Sequence, residues 1–230
     1  MTEIPYRAAL IVGAGSGISA SVARGLASAG LKLGLVARNV EKLAPLAAET
    51  ARKHSPSMRQ TPRRSPACSR MPIAGSGSPM WCSTTRAHGP IAELDPEAVR
   101  KAIEISAYGG FLVVQQAARR MMPHGRGAIL LTGASASVKG YPLSAAFAMG
   151  KFALRGLAQS TARELGPKGV HVAHFVIDGG VRSARRPDPA DRPDSTLDPD
   201  GIAQSYLEVL RQPRSAWSLE VELRPWVETF

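Results

Sequence analysis

The stretch that decides the fold is Ala8-Ala9-Leu10-Ile11-Val12-Gly13-Ala14-Gly15-Ser16-Gly17-Ile18. Its first five residues are apolar, which predicts a short buried strand. Glycines follow at once, and an alanine-rich helical pattern then runs from Ser19 to Ala29. A glycine turn at this place lets the backbone approach a pyrophosphate, and the helix N-terminus supplies amide donors and a positive dipole end. A tight strand–helix turn without a ligand is the alternative; we expect the ligand-binding residues to be Gly13, Gly15, Ser16, Gly17 and Ile18.

Outward from this turn, short apolar runs alternate with helical patterns. Such alternation is typical of a parallel sheet with helices on both faces. We therefore predict one α/β domain over residues 1–230, a doubly wound parallel sheet in three layers. The further predicted strands are 33–37, 128–131, 170–177 and 219–223, and the further predicted helices are 40–53, 95–122, 144–165 and 200–211, with a surface loop over 185–199.

Composition limits the function classes. The formal charge is +11, but seven basic residues fall between Glu49 and Glu93, where no acidic residue occurs. Without those seven, 22 basic residues face 18 acidic ones, a net charge of +4. The seven basic residues of this segment do not recur at the spacing of a helix or strand face, so we predict no nucleic-acid binding. No apolar run suits a membrane span, and two cysteines without a disulfide framework favour the cytoplasm. No metal site is predicted.

The end of the second strand bears on the choice of cofactor. In a cofactor without a 2′-phosphate, an acidic residue here would accept hydrogen bonds from the ribose hydroxyls. An arginine guanidinium would instead pair with the 2′-phosphate of NADP. The sequence has Arg38 and Asn39 at this point. We therefore predict NADP in preference to NAD, with Arg38 and Asn39 in the cofactor site. A solvated arginine at a strand end is the alternative.

Three motifs together resemble the short-chain dehydrogenase/reductase family. Residues 12–19 are similar to its T-G-x-x-x-G-x-G turn, residues 151–157 to the segment that follows its active-site lysine, and residues 162–170 to the run into its sixth strand. The resemblance covers 6–53 and 89 to about 178, and only loosely the last fifty residues. It implies a Rossmann-type fold, an NAD(P) cofactor and a small carbonyl or alcohol substrate. It also implies a homodimer or homotetramer formed through the helices at 96–122 and 144–165.

The catalytic positions of the family are altered in this chain. The Y-x-x-x-K motif falls on Phe147 to Lys151, so the proton-exchanging tyrosine is replaced. The catalytic serine position falls on Ala134, with Ser135 one residue away, and the asparagine position falls on Ser106. We expect the catalytic set to be Lys151, Ser135 and Ser106. The resemblance also implies that Lys151 binds the cofactor through its nicotinamide ribose hydroxyls. We interpret Phe147 as a core aromatic.

The segment from about His54 to Arg86 breaks the pattern. It is rich in Ser, Pro and Arg, has no apolar period, and is expected to be irregular where the fold needs strands and a helix. Read from the third base of each codon, Met80 to Arg86 can encode Val-Val-Leu-Tyr-Asn-Ala, which resembles the fourth strand of the family and its Asn-Ala turn. We interpret 54–86 as a pair of compensating frameshifts, with a disordered loop in a divergent member as the alternative.

These observations predict an oxidoreductase that moves hydride between a nicotinamide cofactor and a carbonyl or alcohol, with slow or impaired turnover. Two alternatives remain. The changes at Phe147, Ala134 and Ser106 favour a non-catalytic dinucleotide-binding protein, a sensor or a partner subunit. The disrupted central segment favours a damaged product that folds poorly.

Overall fold

The computed structural model describes residues 3–37, 39, 41–52, 73–75 and 87–228. Within these ranges, strands and helices alternate along the chain. The strands are β1 (Ala8–Val12), β2 (Lys32–Val36), β3 (Ile73–Gly75), β4 (Gly127–Thr132), β5 (Val170–Ile177) and β6 (Glu220–Leu223). The helices are α1 (Ile18–Ser28), α2 (Ala44–Arg52), α3 (Pro96–Ile103), α4 (Gly109–Met121), α5 (Ala145–Leu165) and α6 (Pro199–Arg211).

The described strands form one sheet in the order β2-β1-β3-β4-β5-β6, and every pair is parallel. The predicted α/β fold is therefore confirmed. One detail differs, because the segment expected to be irregular contains β3, which pairs with both β1 and β4. Residues 54–72 and 76–86 lie outside the described part of the chain, and so does the strand that a shifted frame would encode at 80–86.

The sheet divides the core into two layers, because successive side chains of a buried strand point to opposite faces. On β4, Ala128 and Leu130 pack in the layer that α1 and α6 cover, and Ile129 and Leu131 pack in the layer beneath α4 and α5. Both faces of β4 and β5 are buried along their whole length. A parallel sheet covered on both faces has this property, and it leaves the ends of the strands as the accessible edges.

The helical run after residue 95 begins as its sequence predicts and is then interrupted. The Asp95 side chain accepts a hydrogen bond from the Glu97 amide at 3.1 Å, and Pro96 occupies the first turn. The predicted helix over 95–122 is in fact three pieces, since a π-helical turn, Glu104–Tyr108, separates α3 from α4. Such turns widen a helix locally and are frequent at functional sites. Ser106 lies in this turn.

Candidate active site

The glycine turn follows β1 and leads into α1, as predicted. The amides of Gly13 and Ala14 donate to the Val36 carbonyl at 2.8 and 2.9 Å, which fixes the turn against the end of β2. Gly17 has a φ of 92°, a conformation that glycine adopts without strain. No side chain of the described residues caps α1, and its first turn has no acidic residue, so none of these residues neutralises its positive dipole end.

The space beside this turn suits a dinucleotide. A Cβ built on Gly15 would have no atom of the described chain within 4 Å, so the backbone of Gly15 borders open space. A pyrophosphate needs this combination of close backbone approach and a free helix N-terminus. The residues that would hold it are Gly13, Gly15, Ser16, Gly17 and Ile18.

The two residues predicted at the adenosine end have different outcomes. Arg38 lies outside the described residues, so its role stays a prediction. The Asn39 side chain accepts a hydrogen bond from the Lys42 amide at 3.3 Å and so caps the short 3₁₀ helix Glu41–Leu43. This contact gives Asn39 a structural role at the beginning of the second helical segment.

Lys151 is the most unusual side chain at the carboxyl edge of the sheet. It lies on α5 and is only 4% exposed. Its ammonium donates to the Thr132 carbonyl at 3.0 Å, at the last residue of β4. Burial lowers the pKa of Lys151 to about 8, because desolvation disfavours the charged form. An ammonium that loses its proton near neutral pH is suited to proton transfer.

Phe147 lies one turn before Lys151 and is not a core residue. Its side chain is 38% exposed, so the interpretation of Phe147 as a core aromatic is wrong. The Lys151 Nζ lies 5.8 Å from the centroid of the Phe147 ring, within the range of a cation–π contact. Phe147 therefore forms a wall of the site beside the ammonium, at the surface, where its ring can touch a bound molecule.

The turn after β4 carries the predicted hydroxyl. Ser135 is half-buried and begins the 3₁₀ turn Ser135–Ser137. Ser137, which the sequence did not indicate, is fully buried, and its Oγ accepts the Ala134 amide at 3.1 Å. Of the two serines, only Ser135 has a side chain that solvent reaches.

Ser106 packs against Gly150, the residue before Lys151. Its hydroxyl donates to the Ala102 carbonyl, one turn earlier in the same helical run. A Cβ built on Gly150 would collide with the Ser106 hydroxyl, so these two residues are in close contact. Ser106 thus joins the π-helical turn to the residue before Lys151, which is a packing role.

Two pairs of charged or polar residues at this site escaped the sequence analysis. Lys139, in the loop after β4, forms an ion pair with the buried Asp178 at 3.0 Å, and the carboxylate raises the pKa of Lys139. His174, in the middle of β5, lies 3.1 Å from a carboxylate oxygen of Glu220. The available signal was a polar residue in an otherwise apolar buried strand.

The comparisons with known proteins agree with this geometry. A family model described as short chain dehydrogenase matches residues 7–61, and one described as enoyl-(acyl carrier protein) reductase matches residues 81–189. The crystal structure of a short-chain dehydrogenase from Rhodopseudomonas palustris is 34% identical, covers 96% of this chain and 99% of its own, and superposes with a TM-score of 0.74. The chain belongs to the short-chain dehydrogenase/reductase family. The predicted family membership is confirmed.

Two further relatives illustrate matches that are shorter or less close. The L-2,3-butanediol dehydrogenase of Corynebacterium glutamicum is 33% identical over 93 residues, which are 40% of this chain and 36% of that enzyme. The matched part thus spans little more than a third of this curated relative. A metagenomic short-chain oxidoreductase, crystallised in complex with NADP, shares the fold with a TM-score of 0.73 at 24% identity, over 96% of this chain and 98% of its own.

None of the described helices combines the length and the apolar character needed to cross a membrane. Among the same residues, no group of three or more His, Cys, Asp or Glu side chains could hold a metal ion.

Proposed function

We propose that this short-chain dehydrogenase/reductase is an NAD(P)-dependent oxidoreductase that transfers hydride between the nicotinamide ring and a small carbonyl or alcohol. The observation that carries the proposal is the burial of the Lys151 ammonium at the carboxyl end of β4. All described strands are parallel, so this edge of the sheet also carries the glycine turn after β1. Ligands of open α/β sheets bind at this edge.

Each residue of the site has a separate role in the reaction. A bound nicotinamide would accept or donate the hydride. Lys151 holds a positive charge beside the reacting oxygen and stabilises the negative charge that this oxygen develops in the transition state. Its lowered pKa lets it exchange a proton with a neighbouring hydroxyl near neutral pH. Phe147 has no proton to give, so we assign proton transfer to the Ser135 hydroxyl or to water that Lys151 orders.

We expect slow turnover, because the phenol that the family uses is absent. A correctly placed general acid contributes roughly 10²- to 10⁴-fold to the rate. A second candidate function, a non-catalytic dinucleotide-binding protein, is favoured by the same observation and by the packing role of Ser106. Its chain would keep the glycine turn and Lys151 for binding alone.

The experiment that separates the two is a pair of measurements on one preparation. NADPH and NADH binding is measured by fluorescence titration, and their oxidation is followed over a panel of aldehydes and ketones. Turnover that Lys151→Ala abolishes, and that Lys168→Ala in an exposed pair with Glu164 leaves intact, supports the oxidoreductase. Binding without turnover on any carbonyl supports the non-catalytic protein, and absence of binding contradicts both.

Arg38 carries the proposed preference for NADP, since an arginine fork pairs with a 2′-phosphate, and Asn39 stays a proposed neighbour in the cofactor site. For assembly we propose a homodimer or homotetramer through α4 and α5, as the family implies. Apolar side chains are exposed along these helices and the π-helical turn, which is a surface that self-association would cover. They are Ile105, Tyr108, Phe111, Leu112, Met149 and Phe152. The cytoplasmic location is a further proposal, which cell fractionation tests.

A further inference from the structure

His174 occupies a buried position beneath α5. It is 1% exposed, and Val172, two residues earlier on β5, packs in the layer covered by α4 and α5. Since side chains alternate along a strand, His174 faces the same layer. β6 pairs with β5 so that His174 and Glu220 are register partners, and the His174 Nδ1 lies 3.1 Å from the Glu220 Oε2.

The surroundings of His174 fix its charge and its tautomer. Arg155 donates from Nε and Nη2 to both oxygens of Glu220, each at 2.7 Å, and this pairing lowers the pKa of Glu220. The pKa of His174 is lowered as well, chiefly by burial; the charges of Lys151 and Arg155 act in the same direction, and Glu220 partly offsets them. The imidazole is therefore neutral. An ionised carboxylate only accepts hydrogen bonds, so Nδ1 carries the proton and Nε2 is an acceptor.

The Nε2 atom is directed at the turn after β4. A Cβ built on Gly133 would collide with the His174 Nε2 and would lie 2.6 Å from the Ser137 Oγ. Both polar atoms thus face the same point beside Gly133. Among the described residues, no hydrogen-bond partner is in place for the His174 Nε2. A buried acceptor without a partner is costly, so the Ser137 hydroxyl beside the same point is the candidate donor.

Ser137 has the proton that this acceptor needs. The Ser137 side chain is fully buried, and its Oγ uses one lone pair to accept the Ala134 amide. A serine hydroxyl has two lone pairs and one proton, so it can accept from Ala134 and donate to His174 at once. Both atoms face one point beside Gly133, so the Ser137 hydroxyl is placed as the donor that this acceptor would use.

We propose that His174 is a positioning residue of the candidate active site, whose Nε2 accepts the Ser137 hydroxyl proton and so fixes the turn Gly133–Ser137. This turn follows the Thr132 carbonyl, which accepts from Lys151, and it carries Ser135. One series of polar contacts then runs from the surface to the backbone that holds both proposed catalytic side chains. Its members are Arg155, Glu220, His174 and Ser137.

The order Ser137, His174, Glu220 also matches that of a nucleophilic triad. Ser137 is fully buried, however, so no ester or peptide can reach its hydroxyl. The geometry thus excludes a hydrolytic role in this conformation and favours positioning.

The hydrogen bond itself is tested by nitrogen-15 NMR of the full chain labelled at histidine, which needs no substrate. His171, also on β5, is the internal control, since its Nε2 lies 2.8 Å from the Ser218 carbonyl and must carry the proton there. We expect opposite tautomers, with the proton on Nδ1 in His174 and on Nε2 in His171. In Ser137→Ala the pKa of His174 should rise, because the neutral ring loses the hydrogen bond that favours it. A proton on the His174 Nε2, or an unchanged pKa in Ser137→Ala, overturns the proposal.

Two variants separate positioning from packing. His174→Asn keeps a donor near Glu220 but loses the acceptor at the position of Nε2. His174→Gln can place an acceptor near that position. We expect His174→Asn to speed hydrogen exchange of the Ala134 amide about tenfold and His174→Gln to leave it close to the wild-type rate. Equal exchange in both variants overturns the proposal.

The effect on turnover rests on the proposed function. Wild-type kcat should fall in acid as His174 is protonated, and His174→Gln should lack this fall because its side chain does not titrate. An acid limb that persists in His174→Gln contradicts this effect. A wild type without turnover would contradict the oxidoreductase instead, and the NMR result would still decide the role of His174.

Discussion

The Lys151 ammonium lies 5.8 Å from the centroid of the Phe147 ring and donates to the Thr132 carbonyl at 3.0 Å. The aromatic side chain that precedes the lysine by one helical turn thus lies at the surface beside the charge and lacks a hydroxyl. This relationship places an aromatic wall, rather than a proton donor, next to the only strongly buried lysine in the described chain. The first prediction follows from it.

Phe147→Tyr should raise turnover by roughly 10²-fold or more, because the phenol restores a general acid whose pKa the Lys151 charge lowers. NADPH oxidation at saturating carbonyl measures the effect. Phe152→Tyr, on the same helix and also exposed, is the matched control and should leave the rate unchanged. Equal rates in all three proteins would mean that Phe147 does not border the reacting oxygen.

Gly15→Ala should weaken NADP binding about tenfold or more without changing the free energy of unfolding. A Cβ at Gly15 meets no atom of the described chain within 4 Å, whereas it would lie against a bound pyrophosphate. Fluorescence titration and chemical denaturation measure the two quantities. Gly156→Ala on α5, also without a neighbour within 4 Å, is the control: it should keep NADP affinity and stabilise the helix by about 0.5–1 kcal/mol.

Gly133→Ala should lower the free energy of unfolding by about 3 kcal/mol, since the added Cβ collides with the buried His174 ring. Chemical denaturation at pH 7 measures the loss. Combining it with His174→Ala should recover part of the loss, because the colliding ring is then absent. Strictly additive losses would show that the two residues do not share this contact.

Arg38→Asp should reverse the preference of the chain from NADP to NAD, because an aspartate accepts from ribose hydroxyls and repels a 2′-phosphate. The ratio of the two dissociation constants measures the change. Lys32→Asp, at the opposite end of the adjoining strand β2, removes an equal charge and is the control. An unchanged ratio in Arg38→Asp would place the adenosine ribose elsewhere.

The sequence predicted the elements whose determinants are local. The strand Val170–Ile177 is a mostly apolar run and was predicted with its observed bounds. The helix after Asp95 begins where an N-cap and a proline at the first position require it. Lys151 and the glycine turn were found because each lies in a motif of adjacent residues.

What the sequence could not predict depends on contacts between distant residues. His174 and Glu220 are 46 positions apart, and only the parallel pairing of β5 with β6 brings them together. The exposure of Phe147 depends on what packs above α5, which helical spacing does not reveal. The strand Ile73–Gly75 lies in a segment without apolar period, so its place between β1 and β4 comes from the sheet and not from a local pattern.

The last prediction concerns the cost of burying Lys151, and it can be measured without any ligand. Its pKa of about 8 in the folded chain is lower than the value near 10.5 of a solvated lysine. Between these values the folded chain binds fewer protons than the unfolded chain, so rising pH stabilises the fold. The wild type should therefore gain about 3 kcal/mol relative to Lys151→Met from pH 8 to pH 10.5, with the full cost of the charge present below pH 8.

Urea denaturation of the wild type and Lys151→Met across this pH range measures the difference between their free energies of unfolding. Groups that titrate alike in both proteins do not contribute to this difference. Lys168→Met removes an exposed lysine that follows the end of α5, and its difference from the wild type should stay nearly constant with pH. A constant difference for Lys151→Met as well would mean that the ammonium is solvated in solution. It would also remove the physical basis for proton exchange at this lysine near neutral pH.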